Sequence, residues 1–212
     1  SFHFIFLIVV CICSFYFVKV NSTNLPLVGK TVYLDAGHGG ADAGANYKDI
    51  LEKDINLSIV KMLASKLENL GATVYLTRYD DYDLSNVGVK YRKKSDLYNR
   101  AKIINESNAD IYISIHLNST ISSIWNGAQV FYDDVCDENI ILAQSIKESL
   151  KTDREVSEIS TMYFNRLVQK PGVLVEVGFL SNSKDRANLV NEEYQEKISD
   201  MIIEGVINYF SM

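Results

Sequence analysis

Five apolar runs of strand length alternate with helical stretches along this chain, and that alternation limits the folds open to it. The runs are Thr31–Asp35, Ala72–Thr77, Asp110–His116, Ala128–Tyr132 and Val173–Val177. Helical patterns occupy Lys53–Leu70, Asp96–Ser107, Glu138–Leu150 and Glu192–Tyr209. In the first helix Ile55, Ile59, Met62, Leu63 and Leu67 recur at three- and four-residue steps, and Gly71 stops it. A continuously apolar strand has to be covered on both faces. Such strands separated by helices therefore predict an α/β sandwich with a mainly parallel sheet. In sheets of that kind, ligands bind beyond the carboxyl ends of the strands.

Three of the runs carry polar groups toward that edge. TVYLDAGHGG (31–40) delivers His38, and ADIYISIHLNS (109–119) delivers His116; the remaining histidine, His3, lies in the apolar leader. GVLVEVGFLSN (172–182) holds a lone acid, Glu176. Glu52 stands between the histidines in LEKDINL. Two imidazoles and a carboxylate form a hydrolytic zinc set, and a second carboxylate supplies the base that such a site needs. Each residue also has an ordinary alternative. His38 could cap a glycine-rich turn, His116 could be a satisfied strand-end histidine, and Glu52 suits the positive end of a helix dipole. Glu176 has the weakest alternative, because a charge inside an apolar strand is costly to bury unless paired or ligated. Asp42 and Asn118 are placed to orient imidazoles. Arg78 and Arg100 are candidates for holding a substrate carboxylate, against the default of surface arginines. The Asp80/Asp81/Asp83 cluster reads as a solvated turn, and Lys90, Arg92, Lys93 and Lys94 as an exposed patch suited to an anionic glycan.

Bulk properties narrow the setting. Ser1–Val20 is almost wholly apolar, with Lys19 its only charge, and reads as a signal peptide or membrane anchor. Residues 21–29 read as a polar linker, and 30–212 as one domain with a sizeable core acting outside the cytoplasm. Of three cysteines, Cys11 and Cys13 fall in the leader, so Cys136 has no disulfide partner in the domain and a multi-cysteine zinc site is excluded. The net charge of −6 argues against general nucleic-acid binding. Any membrane contact is expected only through the N-terminal segment.

Taken in order, LDAGHGGADAGA (34–45), LEKDINL (51–57), LTR (76–78), NRA (99–101), ISIHLNS (113–119), GAQVFY (127–132) and PGVLVEVGFLSN (171–182) resemble the zinc-dependent N-acetylmuramoyl-L-alanine amidases of the Amidase_3 type. The pieces cover nearly the whole domain. The resemblance implies zinc ligands at His38, Glu52 and His116 and a catalytic glutamate at Glu176. It also implies a mixed, mostly parallel six-stranded sheet flanked by helices, of phosphorylase/hydrolase-like type. The implied reaction is hydrolysis of the amide between the lactyl group of N-acetylmuramic acid and L-alanine in peptidoglycan. The leader, the lack of wall-binding repeats and RYDDYDLS (78–85) look most like the germination-specific amidases of spore formers. That likeness implies removal of stem peptides from spore cortex for muramic-δ-lactam formation, with an accessory lipoprotein as a possible partner. Open alternatives are a general wall autolysin of the same family, a zinc peptidase acting on free peptides, and a non-catalytic wall-binding protein.

Overall fold

The computed structural model describes residues 25–212. The leader reading of Ser1–Val20 lies outside the described residues, and so does the first part of the linker. Among the described residues no helix is long and apolar enough to cross a membrane.

The chain runs β1 (Thr31–Ala36), a hairpin of β2 (Asn46–Tyr47) and β3 (Ile50–Leu51), α1 (Glu52–Asn69), β4 (Thr73–Leu76), α2 (Arg92–Asn105) and β5 (Ile111–Asn118). It continues through β6 (Gln129–Tyr132), α3 (Glu138–Leu150), β7 (Ser157–Glu158), α4 (Tyr163–Leu167), β8 (Gly172–Phe179), α5 (Ser183–Leu189) and α6 (Glu192–Phe210). The main sheet has six strands in the order β4-β1-β5-β8-β6-β7. The first four are mutually parallel; β6 lies antiparallel to β8, and β7 pairs parallel with β6. The expected mixed, mostly parallel sheet is therefore present, and all five runs read as strands lie in it. The sixth strand, β7, is a two-residue edge that the apolar pattern does not announce.

Strand alternation separates two unlike faces. Val32 and Leu34 of β1, Ile111, Ile113 and Ile115 of β5, and Val173, Val175 and Val177 of β8 all point to one side. They pack under the apolar stripes of α1, α3 and α6, including Ile59, Leu63, Ile146 and Ile202, each 0% exposed. Truncating any of these to alanine is expected to cost about 2–5 kcal/mol. The opposite face carries Tyr33, Asp35, Tyr112, Ser114, His116 and Glu176, as the pairings Asp35↔Ser114 and His116↔Glu176 require. A smaller apolar cluster covers part of this face: Tyr33 and Tyr112 against Ala101, Ile104, Phe164 and Val168 of α2 and the α4 region. The rest is left to polar groups, and the site lies there.

Candidate active site and metal centre

His38 follows β1 in a turn that glycine makes possible. The Gly37 amide donates to the Ile115 carbonyl at 3.1 Å, and Gly39 and Asp42 exchange backbone hydrogen bonds at 2.9 and 3.0 Å. A Cβ on Gly37 would fall 2.3 Å from the His116 ring, so this position must stay bare for the two histidines to meet. His38 itself has φ +62°, a left-handed backbone that a residue with a Cβ adopts at a cost of about 1–2 kcal/mol. From there the β2–β3 hairpin carries the chain back to Glu52, the first residue of α1, whose amide donates to the Ala45 carbonyl at 2.9 Å.

Glu52 is the hub. Its Oε1 lies 3.2 Å from His38 Nε2 and 3.0 Å from His116 Nδ1. The same oxygen accepts from the Leu117 amide at 3.0 Å, while Oε2 accepts from the Ala45 amide at 2.7 Å. The two imidazoles meet edge to face, with centroids 5.0 Å apart. Ligand atoms from His38, Glu52 and His116 all fall within 4.8 Å of one another. The donor set is two imidazole nitrogens and one carboxylate, gathered from a strand-end turn, a helix start and a strand. That set suits zinc, and the crowding of donors on a single carboxylate oxygen is what a bound cation would relieve. Asp42 Oδ2 sits 3.0 Å from His38 Nδ1 and fixes that ring from behind, as the sequence suggested. Asn118 enters differently: its carbonyl accepts from the Leu180 amide, where the β5–β8 register shifts.

The electrostatics divide the carboxylates. Burial would raise Glu52, but hydrogen bonds from His116 and His38, with the charges of both rings, hold its carboxyl far below the usual range. Burial would lower His38, yet its bonds to Glu52 and Asp42 leave it raised. Glu176 goes the other way. Desolvation, helped by the nearby charge of Glu52, pushes it up to about 8. The residue as a whole is only half-buried, but its Oε2 is buried and has no hydrogen-bond partner. A carboxyl held near neutrality beside a ligand set is the arrangement for proton transfer. His38, Glu52, His116 and Glu176 line one cavity of about 220 Å³.

Two arginines are neither substrate-carboxylate ligands nor surface groups. Arg78 is 0% exposed and Arg100 1%, so neither is free to meet a substrate carboxylate. Arg78 donates to the carbonyls of Ala36, Gly37 and Lys53 at 2.9, 3.2 and 2.6 Å, tying the His38 turn to the start of α1. Arg100 pairs with Asp96 and with Asp35 and donates to the Ala36 and His38 carbonyls. Burial would lower Arg100, but Asp35 and Asp96 raise it on balance. Buried arginines with every guanidinium nitrogen bonded are structural clamps. The acidic cluster joins them: Asp81 accepts from the Gly40 amide at 2.8 Å and from Lys53 Nζ at 2.6 Å, which pins the turn after His38. The basic patch is partly neutralised, Arg92 by Asp83 and Lys93 by Asp42. The sequence reading passed over α4, whose Phe164 and Asn165 form part of the cavity wall.

Comparison with known proteins agrees with this architecture. The family described as N-acetylmuramoyl-L-alanine amidase, Amidase_3, matches residues 32–208. The chain is 43% identical over 196 residues to the germination-specific N-acetylmuramoyl-L-alanine amidase of Bacillus subtilis, an alignment covering 89% of this chain and 83% of that protein. It is 32% identical to the N-acetylmuramoyl-L-alanine amidase LytC of the same organism, covering 90% of this chain and 37% of the longer relative. Among solved structures, the CwlD amidase from Clostridioides difficile in complex with the GerS lipoprotein superposes with a TM-score of 0.82 at 40% identity, covering 86% of this chain and 99% of that one. A His–Glu–His set gathered at the sheet edge, a carboxyl held near neutrality beside it, and a match spanning almost every described element make this chain a member of the Amidase_3 family of N-acetylmuramoyl-L-alanine amidases.

Proposed function

We propose that the chain hydrolyses the lactyl–L-alanine amide of peptidoglycan with a zinc ion held by His38, Glu52 and His116 and with Glu176 as the general base. The amidase activity follows from the family; the metal and the division of roles are the proposal. The observation that carries it is the convergence of the three ligand atoms within 4.8 Å in the cavity that Glu176 lines. Zinc, when bound, supplies Lewis acidity at the carbonyl of the bond to be cut.

The chain's own residues do the rest. Glu176 Oε2 has no partner, so it is free to accept a proton from the attacking water. The oxygen of that water bonds to the lactyl carbonyl carbon. The carbon–nitrogen bond then breaks, and Glu176 returns its proton to the departing L-alanyl nitrogen. The products are the lactyl carboxylate on the glycan and a stem peptide with a free amine. Desolvation and the Glu52 charge raise Glu176 to about 8; a cation held by His38, Glu52 and His116 would offset the Glu52 charge and so favour the ionised, proton-accepting form of Glu176. Asp42 keeps the His38 ring turned toward Glu52.

Likeness to the germination-specific relative supports a role on spore cortex, where stem-peptide removal precedes muramic-δ-lactam formation. Residues 1–20 are then the leader that takes a catalytic unit spanning 30–212 out of the cytoplasm. The test is mass spectrometry of purified cortex muropeptides after incubation with the zinc-loaded protein. Release of peptides beginning with L-alanine, from an intact glycan, is the expected result. Cleavage of glycan-free peptides alone would overturn it.

The C. difficile relative in complex with a lipoprotein supports an accessory lipoprotein here as well. Ala45, which donates to Glu52, adjoins a hairpin whose tip, 47–49, is exposed. A partner ordering this loop would raise zinc affinity, and zinc would raise partner affinity by the same factor. Pull-down from sporulating cells with and without chelator tests that coupling. Equal recovery in both would break it.

A further inference from the structure

Among the described residues, four buried side-chain atoms have no hydrogen-bond partner: Asn56 Oδ1, Asp133 Oδ2, Asn165 Oδ1 and Glu176 Oε2. An orphaned buried polar atom costs about 1–3 kcal/mol, so each calls for a reason. Asn56 lies outside the cavity lining, and its Nδ2 donates to the Gly37 carbonyl and to Glu52 Oε1 and so supports two ligand segments. Asp133 also lies outside the lining, and its Oδ1 accepts from the Val135 amide and from Asn139 and shapes the turn into α3. Glu176 is the candidate base. Asn165 is the other residue of the four that lines the cavity. It is 1% exposed on a helix of five residues, and it lines the cavity that holds Glu176 and the ligand set.

Its one side-chain bond fixes it in place. Nδ2 donates to Tyr112 Oη at 3.2 Å, and Tyr112, itself 1% exposed, packs edge to face against Phe164. Tyr112 stays a neutral hydroxyl, since burial and then the Asp133 charge push it well above its ordinary range. The residue that lines the reaction cavity is thus held with its acceptor oxygen unmatched. A leucine of similar shape would remove that cost. A donor that arrived with the substrate would match this acceptor.

We propose that Asn165 is a specificity-determining residue whose Oδ1 accepts a hydrogen bond from an amide N–H of the bound stem peptide. The inference rests on the amidase reading and deepens it. Muropeptides bring several peptide N–H groups to the scissile bond, and a buried acceptor discriminates strongly against substrates that cannot offer one. Asn165 takes no part in proton transfer, so it acts on binding and leaves the chemical step alone.

The test uses zinc-loaded full chain and a disaccharide–tetrapeptide muropeptide. Asn165→Leu should raise KM about tenfold, the scale of one lost hydrogen bond, and leave kcat within about twofold. Zinc content should be unchanged, and the melting temperature should hold or rise. In a Glu176→Gln background, calorimetric titration with the same muropeptide should show the same tenfold loss in Kd without any turnover. Tyr112→Phe/Asn165→Leu removes both partners of the internal bond and is the second variant if the single change perturbs folding. A wild-type KM and Kd in these variants would overturn the inference while the amidase reading stood. Failure of both variants to fold would make Asn165 structural and overturn it equally. A wild-type enzyme that did not cut the muropeptide would instead bring down the reading beneath.

Discussion

Glu52 and Glu176 lie in one cavity and are treated in opposite ways. Around Glu52 the chain concentrates donors: two imidazoles, the amides of Leu117 and Ala45, and the Asn56 carboxamide. Around Glu176 it withholds them, leaving Oε2 buried and unmatched. The difference follows from the elements. Glu52 begins a helix, where backbone amides and the dipole favour negative charge. Glu176 lies within β8, where its backbone groups are committed to strand partners and only side chains can answer it. On the proposed reading, one carboxylate stays ionised and holds a cation, and the other exchanges a proton.

The largest expected effect breaks the comparison at Glu52. Glu52→Ala removes the acceptor that both histidines share, and elemental analysis should show zinc falling from about one equivalent per chain to near zero. Turnover should fall to background with it. His116→Ala should do the same. Full zinc retention in either would move the metal away from these residues.

Next comes Glu176→Gln. It should keep the metal, because the proposal assigns Glu176 as the base and not as a ligand, and lose roughly 10²–10⁴-fold in kcat, the scale of a missing general acid–base. Zinc lost together with activity would make the two carboxylates parts of one binding set and erase the contrast between them. Asp42→Asn sharpens the Glu52 side. With its hold on His38 Nδ1 weakened, zinc affinity in a competition titration should fall about 10–100-fold. An unchanged affinity would show that Gly37 and the two arginine clamps position the ring unaided.

Much of this site was legible in the sequence because strand-length apolar runs are legible. His38, His116 and Glu176 lie in or just after β1, β5 and β8, and parallel strands present such groups at one edge. What periodicity cannot see is which charged residues the fold will bury. Arg78 and Arg100 read as surface or substrate-binding groups, yet both lie under the site holding carbonyls. The hint for Arg100 was Asp96 four residues earlier on the same helix as Ala101 and Ile104. Short elements were missed for a different reason. β2, β3, β7 and the five-residue α4 contain too few residues to show any period. The helix expected from Asp96 in fact begins at Arg92, because its first turn is cationic and offers no apolar stripe. Cations there oppose the helix dipole, and the Arg92–Asp83 pair offsets part of that cost.

The smallest expected effect leaves catalysis aside and reads the two carboxylates through stability alone. In chelated protein Glu176 is raised from 4.5 to about 8 on folding. The folded state therefore binds this proton more tightly than the unfolded chain. Its contribution is fully present below pH 4.5 and is lost as pH rises through about 8. The slope from this one group is at most about 1.4 kcal/mol per pH unit. His38 is also raised, so its contribution too is present below pH 6.5 and is lost above its folded value. Glu52 is lowered, and its contribution disappears only in acid, below its ordinary value of 4.5. Glu176→Gln keeps the His38 and Glu52 contributions and deletes the first. The difference in melting temperature between the variant and the parent chain should be near zero at pH 4.5 and should grow in the variant's favour up to pH 8. A constant offset across that window would mean that Glu176 ionises in the folded protein as it does in water. Its unmatched oxygen would then not set it apart from Glu52, and the opposition between the two carboxylates would rest on ligand geometry alone.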